Sequence, residues 1–177
     1  SAPFSFTTSA APPSIAEYNF NNSTYNNSNA TNPFLSNSGT SFVTDRDDVT
    51  PNGALYINNT GTTAPIASLP SGNSPRSVSI WIKPNTIAYY NYLFGYGTQT
   101  NNNAYGFSFD ASGINNFGWA NDVTDATAIV ANVWTHIVTT YDEVGMARIY
   151  INGVLKKSAS KTNWNTAIDA NFNLGRL

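Results

Sequence analysis

The 177 residues carry eight Lys and Arg, ten Asp and Glu and a single His, for a formal net charge of −2, and only 10% of the chain is charged. Lys156-Lys157 is the only adjacent basic pair and no apolar run reaches the length of a membrane span, which excludes a nucleic-acid partner and argues against membrane insertion. Cysteine is absent, which excludes disulfides and thiolate metal sites.

In chain order, 1–14 is rich in Pro, Ala, Ser and Thr and reads as a linker or extended N-terminal arm, with Phe4 and Phe6 as its large apolar groups. The rest, 15–177, suits one domain with its own core. A strand pattern starts at 15–20, where Ala16, Tyr18 and Phe20 alternate with Glu17 and Asn19. A long Asn-, Ser- and Thr-rich loop follows at 21–38; the chain holds 26 Asn, so its polar surface is mostly neutral. Short strands are predicted at 41–44, 54–58 and 63–67. A clearer one at 77–83 has Val78, Ile80 and Ile82 on one face, and Pro84-Asn85 ends it. Further strands are expected at 92–97, 105–111, 115–120 and 128–130. The best pair is 135–142 with 146–152, joined by the Asp142-Glu143-Val144-Gly145 turn. Asn152-Gly153 then suits a type I′ turn into 154–158, with 172–174 last. No segment has helical periodicity. Short strands spaced by turn signals imply an all-β sandwich or jelly roll.

The run Trp134-Thr135-His136-Ile137-Val138-Thr139-Thr140-Tyr141-Asp142, continued by Ile149-Tyr150-Ile151-Asn152-Gly153, resembles the signature of laminin-G-like domains in the concanavalin-A-like superfamily. Ile15–Phe20, Thr44-Asp45-Arg46 with Asn52-Gly53-Ala54-Leu55, and Ser77–Pro84 resemble three earlier pieces of that pattern in the same order. The resemblance implies a concanavalin-A-like jelly-roll sandwich of two antiparallel sheets, of a kind found at the cell surface or outside the cell. It also implies a final strand beyond the Asn-Leu-Gly segment that this sequence does not contain. An edge left unpaired there would invite self-association by strand exchange, with the 1–10 arm as one donor.

Enzymes of this superfamily need two facing carboxylates, one of them protonated. The chain has only Glu17 and Glu143, neither in the Glu-x-Asp-x-x-Glu pattern of those enzymes, and no Gly-x-Ser-x-Gly, so no catalytic residue is assigned. His136 reads as a structural group bonded within the sandwich, and Trp81 and Trp134 as core or inter-sheet packing. Asp45, Asp47, Asp48 and Asn52 place oxygen ligands close together in a pattern that suits Ca²⁺, or else form a solvated acidic turn; no cofactor is required. Sugar sites combine aromatic faces with planar amides. Two loops have that chemistry: Tyr89-Tyr90-Asn91-Tyr92, extending to Tyr96 and Asn101-Asn102-Asn103, and Trp119-Ala120-Asn121-Asp122. If they meet at one rim they form a glycan platform. The reading is a non-catalytic binding module for glycan or another cell-surface molecule. The alternative is a structural or adhesion subunit of an extracellular assembly.

Overall fold

The computed structural model describes residues 14–27, 30–58 and 60–176, and these contain twelve strands and no helix. In chain order they are β1 (Thr40–Val43), β2 (Ala54–Ile57), β3 (Thr62–Pro65), β4 (Arg76–Ile82), β5 (Asn91–Gly97), β6 (Ala104–Asp110), β7 (Gly113–Phe117), β8 (Val123–Asp125), β9 (Thr135–Tyr141), β10 (Met146–Ile151), β11 (Val154–Ser160) and β12 (Asn171–Leu174). β1 and β2 form a hairpin of their own. A four-stranded sheet runs β11-β10-β9-β4, and a six-stranded sheet runs β3-β12-β5-β6-β7-β8. Every strand pairing is antiparallel. This is the all-β jelly-roll sandwich expected from the strand pattern.

The two-residue period decides which face is buried. On β9, Thr135, Ile137, Thr139 and Tyr141 are buried, while His136, Val138 and Thr140 turn outward. On β6, Tyr105, Phe107 and Phe109 enter the core. The inner faces meet in a cluster that includes Phe94, Tyr105, Phe107, Ile137, Tyr141, Ile149 and Trp164. The Tyr105 hydroxyl donates to Thr139 Oγ1 across the sandwich at 2.9 Å, so this buried phenol has a partner in the facing sheet. Burial raises its pKa.

Arg76 is also buried, without a carboxylate partner among the described residues. Its guanidinium donates to the main-chain oxygens of Ser74 (2.9 Å), Pro70 (3.1 Å) and Gly72 (2.7 Å) and to the Tyr96 hydroxyl (3.3 Å). It also lies over the rings of Tyr105 and Tyr141, 5.2 and 5.3 Å from their centroids.

Several sequence expectations change. Segment 15–20 keeps its alternation but joins no ladder: Asn26 and Asn27 side chains accept the N–H groups of Glu17 (3.1 Å) and Asn19 (2.9 Å) instead. The 128–130 segment is not a strand; Ile129 is a buried plug in a connecting loop, and the strand in that region is β8. Trp81 is 44% exposed on the outer face of the four-stranded sheet, not in the core. His136 lies beside it on that face, its Nε2 2.8 Å from Ser79 Oγ, not inside the sandwich. The fully buried tryptophan is Trp164, which sequence reading passed over. Residues 1–13 of the predicted arm lie outside the described residues.

The four sheet edges differ. β3 is four residues long and ends in Pro65, β8 has three residues, and β11 carries Lys156 and Lys157 with a register shift opposite Ile149/Tyr150. These are the features that discourage further strand pairing. β4 is seven residues long, regular in register against β9, and its one charge, Arg76, is buried.

Candidate functional site

The six-stranded sheet turns an aromatic line to its outer face. Gly95, Gly106 and Phe117 sit side by side across β5, β6 and β7, and Tyr92, Ser108 and Asn115 form the adjacent row. Phe117 is only 2% exposed although it faces outward, because its ring lies down over Gly106, where an added Cβ would collide with it. That is a position where only glycine leaves room. Tyr92 packs edge-on against Phe117 (5.9 Å between centroids) and Trp119 does the same from the far side (6.4 Å). Tyr90 stacks on Tyr92 (6.0 Å, 15°), and Tyr89 meets Tyr90 edge-on (4.4 Å). Five rings therefore run without a break from one end of the sheet to the other. Tyr89 is 83% and Tyr90 46% exposed.

The tyrosines of the first predicted loop do not share a rim with the second loop, although Asn102, in the extension of the first, does. Tyr89, Tyr90 and Asn91 stand at the start of β5, whereas Asn102 precedes β6 and Trp119, Asn121 and Asp122 follow β7, at the opposite end. They are joined along the face through Tyr92, which belongs to the first predicted loop, and Phe117, which the sequence reading did not assign. Neither position follows from period-2 alternation alone: the register shift between Tyr92 and Phe94 turns Tyr92 outward opposite Ser108, and strand pairing sets Phe117 opposite Gly106.

The predicted amides serve the scaffold. Asn91 Nδ2 donates to the main-chain oxygens of Ala88 (2.8 Å) and Phe109 (3.2 Å), which fixes the tyrosine loop. Asn121 Nδ2 donates to Asn102 Oδ1 (2.6 Å) and Asn163 Oδ1 (2.9 Å), and its Oδ1 accepts from Lys161 Nζ (2.7 Å). Its main-chain oxygen accepts the Trp164 indole N–H at 2.7 Å. This network holds Trp119 and Ala120 at φ of 69° and 55°, a left-handed pair that costs about 1 kcal/mol or more per residue. Asp122 Oδ2 accepts from Asn115 Nδ2 at 3.2 Å, and the remaining oxygens of both side chains are buried with no donor among the described residues.

At the Tyr90 end lies a cavity of about 500 Å³, lined by Tyr90, Ser108, Asp110, Asn115, Asp125 and Lys157 among others. Asp110 Oδ1 accepts from the hydroxyl (2.5 Å) and N–H (2.8 Å) of Ser112, which hold its carboxyl below the usual range. Asp125 is held low first by the Thr127 hydroxyl (2.5 Å), with the Thr127 N–H and the Lys157 and Lys156 charges adding to it.

The proposed calcium ligands behave differently. Asp45 Oδ1 accepts from the N–H groups of Asp47 (3.1 Å), Val49 (3.2 Å) and Thr50 (3.4 Å). Burial opposes its charge, but these bonds and one from the Thr50 side chain outweigh that and lower its pKa. Asp47 pairs loosely with Arg46 at 3.6 Å. Asp48 and Asn52 take positive φ, as turn residues do. Among the described residues no group of three or more His, Asp or Glu side chains is placed to hold a metal, so the three carboxylates do not form one.

Residues 57–177 match the family described as the concanavalin A-like lectin/glucanases superfamily (Laminin_G_3). The chain belongs to this superfamily. Among solved structures, this laminin-G-like chain is similar to domain 4 of AbnA, a GH43 extracellular arabinanase from Geobacillus stearothermophilus, in complex with arabinotriose. The two are 22% identical with a TM-score of 0.69, over 91% of this chain and 82% of that one. It is similar to the binding domain of Paraclostridial Mosquitocidal Protein 1 (17% identity, TM-score 0.67, 86% of this chain and 41% of that one). It is also similar to the botulinum neurotoxin serotype G binding domain (18%, TM-score 0.64, 85% and 40%). The chain thus spans less than half the length of the toxin binding domains, and at these identities what is shared is the fold. No curated protein sequence matches it.

Proposed function

We propose that this domain is a non-catalytic binding module working outside the cell, and that its ligand is a glycan laid along the outer face of the six-stranded sheet. The observation that carries this is the unbroken line from Tyr89 to Trp119, with exposed faces at one end and a rigid bed of Phe117 on Gly106 beneath it. Aromatic faces stack on the apolar side of sugar rings, and the neighbouring hydroxyls, amides and carboxylates meet sugar hydroxyls. Non-catalytic action is supported by the two cavity carboxylates. Both are held ionised, whereas glycoside hydrolysis needs one of a pair kept protonated. The likeness to an arabinanase domain holding arabinotriose is in keeping with this reading. A glycan array followed by titration calorimetry tests it: binding by the wild type and about tenfold loss in Tyr90→Ala and Trp119→Ala are expected. Binding unchanged in both variants refutes the site.

A second reading rests on β4. Its long, regular edge lacks the protection found on β3, β8 and β11, so it suits addition of an extended strand from another chain in a surface assembly. Lysine introduced at Ser79 would abolish concentration-dependent association in sedimentation if that reading holds. A wild type that stays monomeric at all concentrations refutes self-association.

A further inference from the structure

The cavity at the Tyr90 end contains chemistry that the aromatic line does not explain. Asp110 comes from the end of β6 and Asp125 from β8, while Lys157 comes from the other sheet. A β-bulge delivers the lysine. In the β10–β11 ladder Tyr150 faces Leu155 but Ile149 faces Lys157, so Lys156 is the extra residue. Directly opposed residues point to the same side, so the bulge puts Lys157, which stays exposed, on the side of Ile149, where it lines the cavity beside β8. Without the bulge Lys156 would oppose Ile149. No ion pair within 4.0 Å ties Lys157 to Asp125 among the described residues, although its charge is felt there. Asp125 spends Oδ1 on Thr127, and no described residue donates to its second oxygen. Ser108 and Thr124 bring hydroxyls, and Asn115 lines the same space with an Oδ1 that is buried without a donor. The cavity of about 500 Å³ falls in the range of small-ligand sites.

We infer that this cavity is a charge-selecting subsite for a neutral sugar residue of the bound glycan, in which Asp110 and Asp125 accept hydroxyl protons and Lys157 donates. The inference rests on the glycan reading above and adds the substrate class. Two acceptor-only carboxylates beside one ammonium favour a ligand rich in O–H donors. They repel a sugar that brings its own carboxylate, since like charges in a partly desolvated site suppress the wrong partner. Uronic-acid polymers are therefore excluded, and neutral pentose or hexose polymers are accepted.

The test compares neutral oligosaccharides (arabino-, xylo-, manno- and gluco-oligosaccharides) with oligogalacturonate and alginate fragments by calorimetry, on wild type, Asp110→Asn, Asp125→Asn and Lys157→Met. Asparagine keeps the Oδ1 acceptor that each turn uses, so the variants should fold, with melting temperatures lowered no further than acid lowers that of the wild type. Expected is binding of at least one neutral oligosaccharide and of no uronate. Each Asp→Asn variant should lose about ten- to a hundredfold in affinity for the neutral ligand, from lost charge-assisted bonds. Asp110→Asn/Asp125→Asn together should admit oligogalacturonate. Wild-type binding of uronates as tight as of neutral sugars overturns the inference. So does unchanged affinity in all three variants while Tyr90→Ala and Trp119→Ala still abolish binding, an outcome that leaves the aromatic site standing. Failure of the wild type to bind any of these or any arrayed glycan overturns both.

Discussion

The two outer faces of the sandwich are built differently. On the six-stranded sheet the row Gly95-Gly106-Phe117 lets one aromatic ring lie flat, and Tyr92 and Trp119 stand against it. On the four-stranded sheet Trp81 stacks on His136 across the β4–β9 pair (4.9 Å, 17°) and Arg46 from the β1–β2 connection lies 5.0 Å from its ring centroid. The indole there is engaged by protein groups; the tyrosines at the other face end in open water. An exposed aromatic residue is thus not enough to mark a binding surface. What distinguishes the two is that the ring line of the six-stranded sheet ends in Tyr89, 83% exposed, whereas Trp81 lies between His136 and Arg46.

The comparison breaks most readily at Phe117. Phe117→Ala should lose about 3–5 kcal/mol in urea unfolding, the cost of emptying a buried aromatic position, and should abolish glycan binding with it. A loss below about 1 kcal/mol would mean the ring bed is not a built platform. Trp81→Ala on the opposite face should cost about 1 kcal/mol, mainly the cation–π and stacking contacts, and leave glycan affinity at the wild-type value in calorimetry. Lost affinity in that variant would move the site to the four-stranded sheet.

Acid should affect both faces alike. Asp110 and Asp125 on one side and Asp142, held low first by the Arg148 side chain at 2.7 Å, on the other all titrate lower folded than unfolded. Groups with depressed pKa stabilise above the ordinary carboxylate range, and that contribution is lost as pH falls through their folded values. The melting temperature should therefore be flat from about pH 7 to about pH 5 and decline below about pH 4. A decline that begins at neutral pH would rule these carboxylates out as its source. Smallest of all is the expected response to calcium. Because Asp45 spends Oδ1 on its own turn, chelator should not shift the melting temperature, and a fall of several degrees would restore a cation at Asp45, Asp47, Asp48 and Asn52.

Strand positions were legible wherever alternation and a turn signal coincided. β4, β9 and β10 lie within a residue of their expected bounds, and Asn152 and Gly153 take the positive φ (51° and 78°) that their turn requires. Alternation alone misled at 15–20, where Asn26 and Asn27 offer the backbone a side-chain partner in place of a neighbouring strand. β8 was illegible because three residues carry too little pattern. The site was half legible. Tyr89, Tyr90 and Trp119 could be picked out by residue type, but which loops meet depends on strand order, and the β10–β11 bulge that aims Lys157 has no local sequence mark.

Arg76 has a consequence for how the chain assembles. Its partners come from the 70–74 loop, β5, β6 and β9, so the guanidinium finds full compensation only when both sheets have met. Before that moment, burying it is unfavourable. Its docking belongs on the native side of the folding barrier, where contacts of long sequence separation close last. A variant such as Arg76→Lys, tracked by stopped flow, should leave the refolding limb of the chevron nearly unchanged and raise the unfolding rate. The buried charge then acts as a latch on the finished sandwich, governing how long it stays closed rather than how fast it forms.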